Sequence, residues 1–206
     1  MVSLENLTSL DFCFKKVISR YQFNFIHSRV YREFEAYIYK MISYNKKSLL
    51  ITGGTGSLGQ ALTKFFLKNR PELSRIIIFS RDEQKQFLMN DNFDTRKHKQ
   101  LRYFIGDIRD KSRLIRALNN VDFVIHAAAM KHVPIAEYNP DECVKTNING
   151  SENVAIASQN NGVKKCILIS TDKACQPVNV YGSSKFIAER IFTNYDYNSD
   201  STIFAS

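Results

Sequence analysis

Tyr181 and Lys185 stand four residues apart in Tyr181-Gly182-Ser183-Ser184-Lys185, a spacing that puts both side chains on one face of a helix. A phenol titrates at about 10 and is a weak base at neutral pH until a neighbouring cation favours the phenolate. Lys185 can supply that cation and also hold a ribose. Ten residues before Tyr181 is Thr171, whose hydroxyl can bond the same substrate oxygen. Asp172 and Lys173 follow it directly, a carboxyl group and an amine side by side. Together these residues suit proton transfer at a hydroxyl-bearing carbon, although Asp172-Lys173 also reads as an ordinary solvated loop pair.

Upstream lies a second constellation, Gly53-Gly54-Thr55-Gly56-Ser57-Leu58-Gly59, directly after the apolar run Ser48-Leu49-Leu50-Ile51-Thr52. The glycines satisfy Gly-x-Gly-x-x-Gly from Gly54 and Gly-x-x-Gly-x-x-Gly from Gly53. Such a loop lets backbone approach a pyrophosphate, and a helix opening at Ser57 aims its free N–H groups at the phosphate. A dinucleotide is therefore the expected ligand. In NAD-preferring versions an acidic residue ends the second strand, but Ser80-Arg81 stands here. Arg81 can stack on an adenine and pair with a 2′-phosphate, so NADP is the expected cofactor; an exposed arginine opening a helix is the plainer reading. Asp107, with Ile108 beside it after the third strand, is placed to meet the adenine, and Ala127-Ala128-Ala129 would let backbone pass close to the cofactor.

Short apolar runs alternate with longer amphipathic ones from Ser48 onward, the pattern of a parallel sheet covered by crossover helices. Strands are expected at Ser48–Thr52, Arg75–Ser80, Leu101–Ile105, Phe123–Ala127 and Lys165–Ser170, with a sixth beginning at Thr202. Helices are expected over 57–69, 82–90, 110–119, 140–161 and 181–195. The fold class is α/β, a doubly wound parallel Rossmann sheet with flanking helices, preceded by a helical extension over 1–47. In that extension Val30, Phe34, Tyr37, Ile38 and Met41 recur at helical spacing. All 8 glycines and all 4 prolines lie beyond it.

The 206 residues carry a net charge of +9, with basic residues scattered rather than blocked, which gives no nucleic-acid signature. The 4 cysteines, Cys13, Cys143, Cys166 and Cys175, form no CxxC pair and no metal spacing with the histidines, so no metal is expected. No apolar run approaches membrane-helix length, and no signal-type start is evident. A reduced cytoplasmic setting without membrane insertion is the expectation.

The glycine loop followed by the Tyr181/Lys185 pair resembles the extended short-chain dehydrogenase/reductase superfamily. Phe104-Ile105-Gly106-Asp107-Ile108-Arg109-Asp110, then His126-Ala127-Ala128-Ala129-Met130-Lys131-His132-Val133-Pro134, then Ser170-Thr171-Asp172-Lys173-Ala174 look like the inverting UDP-N-acetylglucosamine 4,6-dehydratases. The resemblance covers about 48 to 205 and implies NADP as cofactor, a UDP-sugar as substrate and self-association into a homo-oligomer. It implies that Tyr181 takes the C4 hydroxyl proton as the C4 hydrogen passes to the cofactor. Lys173, neutral, then removes the C5 proton, and Asp172, protonated, gives a proton to the departing C6 hydroxyl. Both would need pKa values moved toward neutrality by burial, with Lys185 contributing for Lys173.

By the same resemblance Lys131 and His132 are substrate-phosphate or wall residues, or simply a structural loop pair. Asn147 steadies a helix bend near the lysine, or merely packs a helix. Gln176 departs from the asparagine the family commonly has before Pro177. The family also builds its sugar pocket from a C-terminal region, so 48–206 is expected to be an NADP-binding Rossmann domain truncated before it. A nucleotide-sugar epimerase or reductase and an inactive NADP-binding fragment stay open as alternatives.

Overall fold

The computed structural model describes residues 46–206. The helical stripe expected over 1–47 lies, apart from its last two residues, outside the described residues. Six parallel strands form one sheet in the order β3-β2-β1-β4-β5-β6. They are β1 (Ser48–Thr52), β2 (Arg75–Ser80), β3 (Leu101–Ile105), β4 (Phe123–His126), β5 (Lys165–Leu168) and β6 (Ile203–Ala205). The crossovers carry α1 (Ser57–Asn69), α2 (Glu83–Asn92), α3 (Lys111–Ala117), α4 (Val133–Tyr138), α5 (Pro140–Cys143), α6 (Gly150–Asn160) and α7 (Val180–Tyr197).

Helices on both faces explain why the central strands read as unbroken apolar runs. Leu50, Ile77, Phe79, Val124, Cys166 and Leu168 pack one face against Leu114, Val154 and Phe192. Their strand neighbours Leu49, Ile51, Ile76, Ile78, Phe123 and Ile125 face the other way, onto Phe66 and Met89. Register follows: Leu50 lies between Ile77 and Val124. The sheet reverses its winding between β1 and β4, and loops at that switch point form a crevice at the carboxyl ends of the strands.

Several expected boundaries differ. β4 ends at His126 rather than Ala127, and β5 at Leu168 rather than Ser170, because the chain leaves the ladder to form the crevice loops. α4 was not foreseen; it has only 6 residues, too few for a periodic signal. The helix expected over 140–161 is three pieces, with a π-helical turn at Val144–Asn149 between α5 and α6. Within that turn the Gly150 N–H reaches back to the Lys145 carbonyl instead of one residue nearer.

Candidate active site

The glycine loop is built for close approach. Gly53 has φ +64°, and a Cβ there would lie 2.7 Å from the Ala128 nitrogen, so the loop after β1 passes directly against the loop after β4. A Cβ at Gly59 would run into the Gly54 carbonyl, which seats α1 on the loop. Gln60 donates to the Thr55 carbonyl at 2.9 Å and holds the turn. α1 then opens at Gly56 with no side chain capping it and no acidic residue in its first turn. Ser57 is exposed and Leu58 half-buried there, while Thr55 is buried. In contrast, Asp82, Asp110 and Asn179 cap α2, α3 and α7 through the nitrogens of Lys85, Arg113 and Gly182. The uncapped helix end beside a glycine-rich loop fits a pyrophosphate.

At the end of β2 the exposed Arg81 lies 3.9 Å from Asp107, which Arg109 grips at 2.7 Å. Partial burial pushes the Asp107 carboxyl up, but the Arg109 hydrogen bonds and the charges of Arg109 and Arg81 outweigh it and hold the pKa below the usual value. Asp107 is thus an ionised anchor for two guanidinium groups, with the Arg81 head still largely in solvent. Two neighbours are more constrained than expected. Ser80 is buried, and its hydroxyl and carbonyl both accept from Gln86 at 3.0 and 3.1 Å, so the hydroxyl faces α2 rather than the crevice. The Ile108 side chain lies in the core against Gly150, leaving its backbone, pinned by Asn153 at 3.1 Å, beside the loop.

Across the crevice, Thr171, Asp172 and Lys173 form the start of a 3-10 turn, Asp172–Ala174, lying against the first turn of α7. Gly182 makes this contact possible, since any Cβ there would strike the Lys173 carbonyl. Asn179 caps α7 by accepting from the Gly182 nitrogen at 2.7 Å. Glu137 of α4 accepts from the Val180 nitrogen at 2.7 Å and fixes the same helix end from the other side. Thr171, Asp172, Lys173, Tyr181 and Lys185 therefore come together on two adjoining elements. Lys131 and His132 are exposed in the loop leading into α4, and no hydrogen bond or ion pair is recorded for either side chain among the described residues.

The electrostatics differ from the expected pattern. Lys185 is 2% exposed, and burial draws its amine down to about 8 against an opposing pull from Glu189. Tyr181 is raised rather than lowered, because burial outweighs its hydrogen bond with Thr171, with the Asp172 charge adding to the rise. Asp172, its side chain 74% exposed, is lowered by the Thr171 hydroxyl, which donates at 3.0 Å, and by Lys173 at 3.5 Å. Lys173 is itself 42% exposed rather than buried. Water reaches the acid and the base; it is excluded from Lys185.

Behind these groups lies Asn147, 1% exposed, in the π-helical turn. It accepts from the Met130 nitrogen at 2.8 Å and donates to the Met130 carbonyl at 2.8 Å and to the Ser184 hydroxyl at 2.9 Å. Both roles considered for it hold in one residue: it is buried packing, and it ties the helix bend to α7. Cys175 is exposed beyond the turn. Among the described residues no helix is long and apolar enough to cross a membrane.

Known proteins resemble this chain in sequence and fold. The inverting UDP-N-acetylglucosamine 4,6-dehydratase of Campylobacter jejuni subsp. jejuni serotype O:2 is 60% identical over 149 residues, 72% of this chain and 43% of that protein. The UDP-glucose 4-epimerase of Rickettsia typhi is 46% identical over 147 residues, covering 70% of this chain and 42% of that one. Among solved structures, Pen from Bacillus thuringiensis superposes with a TM-score of 0.73 at 41% identity, over 78% of this chain and 49% of that chain. This chain thus spans less than half the length of these relatives. A family model described as polysaccharide biosynthesis protein matches residues 49–206, and the chain belongs to that family.

Proposed function

We propose that this chain forms the NADP-binding half of an enzyme that removes water from a UDP-N-acetylhexosamine to give a 4-keto-6-deoxy sugar nucleotide inverted at C5. The observation carrying this reading is the seating of the Asp172–Ala174 turn against Gly182, which brings an acid and a base beside Tyr181 and Lys185. A glycine cradle that any Cβ at Gly53 or Gly59 would fill supports the cofactor assignment. When bound, the dinucleotide supplies reversible hydrogen transfer at the sugar carbons. The chain's own residues handle the protons.

Tyr181 removes the C4 hydroxyl proton, with Thr171 holding the same oxygen and Lys185, still charged below its pKa of about 8, favouring the phenolate. A C4 ketone acidifies the neighbouring C5 hydrogen, which Lys173 takes. Asp172 gives its proton to the C6 hydroxyl as it leaves as water. A proton then returns to C5 from the opposite face. Because Asp172 and Lys173 are open to solvent in this chain, the bound sugar is what excludes water from them. Arg81 faces the 2′-phosphate side of the cofactor, and Lys131 and His132 line the sugar-phosphate side.

Mass spectrometry of UDP-N-acetylglucosamine incubated with the enzyme and a catalytic amount of NADP+ tests the reaction. The expected product lacks one water, and Lys173→Ala abolishes it. An isomer of unchanged mass would instead support an epimerase, the second reading, which the 46% identity to the Rickettsia epimerase favours. For the cofactor, Arg81→Ala is expected to weaken NADPH binding about tenfold, close to 1.4 kcal/mol, and to leave NADH affinity unchanged. Equal losses for both would remove the basis for NADP.

A further inference from the structure

Beneath the crevice lies a buried histidine to which the mechanism above gives no role. His126, the last residue of β4, is 0% exposed, so every polar atom of its ring must find a partner in the protein. Nδ1 lies 2.7 Å from the Thr52 hydroxyl at the end of β1, and Nε2 lies 3.0 Å from the Ser151 hydroxyl in α6. The proton positions follow from the second bond that each hydroxyl makes. Ser151 Oγ is 2.5 Å from the Asn147 carbonyl, which has no proton, so the single hydroxyl proton of Ser151 lies on that bond. Ser151 must then accept from His126, which places the imidazole proton on Nε2. Nδ1 is left as an acceptor for the Thr52 hydroxyl, and the Thr52 oxygen in turn accepts the Ala128 N–H at 3.2 Å.

The outcome is one directed chain: Ala128 N–H to Thr52, Thr52 to His126, His126 to Ser151, Ser151 to the Asn147 carbonyl. Its ends matter because Ala128 is the residue that the glycine loop passes at Gly53, and Asn147 holds both backbone groups of Met130 and the Ser184 hydroxyl beside Lys185. The stretch from Ala128 to Met130 is thereby fixed at both ends by a network that runs through a single imidazole.

We infer that His126 is a positioning residue: as its neutral Nε2–H tautomer it sets the backbone from Ala128 to Met130 against the glycine loop and against the catalytic helix α7. A doubly protonated ring would point a proton at the Thr52 hydroxyl and break the chain at the Thr52-to-His126 link. The burial that draws the His126 ring down to about 3, with the Lys185 charge adding to the effect, guards against that. The inference rests on the dinucleotide reading only for its functional consequence; the network itself can be read without cofactor.

Nitrogen-15 NMR of the cofactor-free chain labelled at histidine tests it, with amide exchange measured at Ala128 and Met130 in wild type, His126→Phe and His126→Asn. The sequence holds 4 histidines, so the His126 signal is assigned by its loss in the variants. The expected result is an Nε2–H tautomer, with amide protection at both positions reduced about tenfold in His126→Phe, as losing a buried hydrogen bond of about 1.4 kcal/mol requires. His126→Asn keeps an acceptor for Thr52 and is expected to retain protection at Ala128 but not at Met130. An Nδ1–H tautomer, or unchanged protection in His126→Phe, would overturn the inference. Where His126→Phe does not fold, Ser151→Ala removes the Nε2 link instead, with reduced protection at Met130 expected and unchanged protection overturning the inference. NADPH titration of the same samples is expected to show affinity falling with Ala128 protection. Absence of binding by wild type would instead count against the dinucleotide reading and leave the NMR result to decide the network.

Discussion

A lysine with 2% exposure and a pKa drawn to about 8 makes stability depend on pH in a defined window. The unfolded chain holds that proton up to its ordinary value of 10.5, the folded chain only up to about 8. Between them the unfolded state binds more protons, so stability rises with pH across the window, and the penalty is complete below it. The full span corresponds to roughly 3 kcal/mol at about 1.4 kcal/mol per unit. Thermal unfolding at pH 8 and pH 10.5, compared with Lys185→Met, is expected to show wild type gaining on the variant as pH rises. A constant difference would contradict the burial.

His126 gives an acid counterpart. Its folded value of about 3 lies below the ordinary 6.5, so stability falls as pH drops between them, and His126→Phe is expected to flatten that slope in acid denaturation curves. Neither effect was legible in the sequence. The spacing of Tyr181 and Lys185 revealed that they share a face, but which group is dry depends on neighbours far along the chain. Thr52 and Ser151 are 74 and 25 residues from His126, and no local pattern reports them. Asn179 had a local signal, since asparagine ahead of a helix is a favoured cap.

At the level of elements, the close seatings decide what tolerates change. An alanine at Gly182 meets the Lys173 carbonyl, a backbone atom that moves only with its whole turn. An alanine at Gly150 meets the Ile108 side-chain methyl at 2.7 Å, which can rotate away. Gly182→Ala is therefore expected to destabilise by about 1–3 kcal/mol and to displace the Asp172–Ala174 turn, with Gly150→Ala costing less. Urea unfolding of the two variants checks the order; the reverse order would contradict the described packing. The strands and long helices were readable because both faces of the sheet are covered and the apolar runs are continuous. The π-helical turn was not, because Asn147 and Ser151 bond to Met130, Ser184 and His126 far along the chain, while Val144–Asn149 carries no glycine or proline to mark it.

At the scale of the whole molecule, the strand order puts the glycine loop and the Ala128 loop on either side of one switch point, with α7 closing the far wall. This is why residues from Gly53 to Lys185 serve one crevice although they span more than half the sequence. The chain spans 43% of its Campylobacter relative, and Asp172 and Lys173, both exposed, form the flank of the crevice that the proposal assigns to the sugar. The proposal requires that the hydrogen leaving C4 returns to the same sugar at C6. Deuterium placed at C4 of UDP-N-acetylglucosamine follows it. The account predicts the label at C6 of a product lacking one water. Label retained at C4 of an isomer, or held on accumulated reduced cofactor, would contradict it.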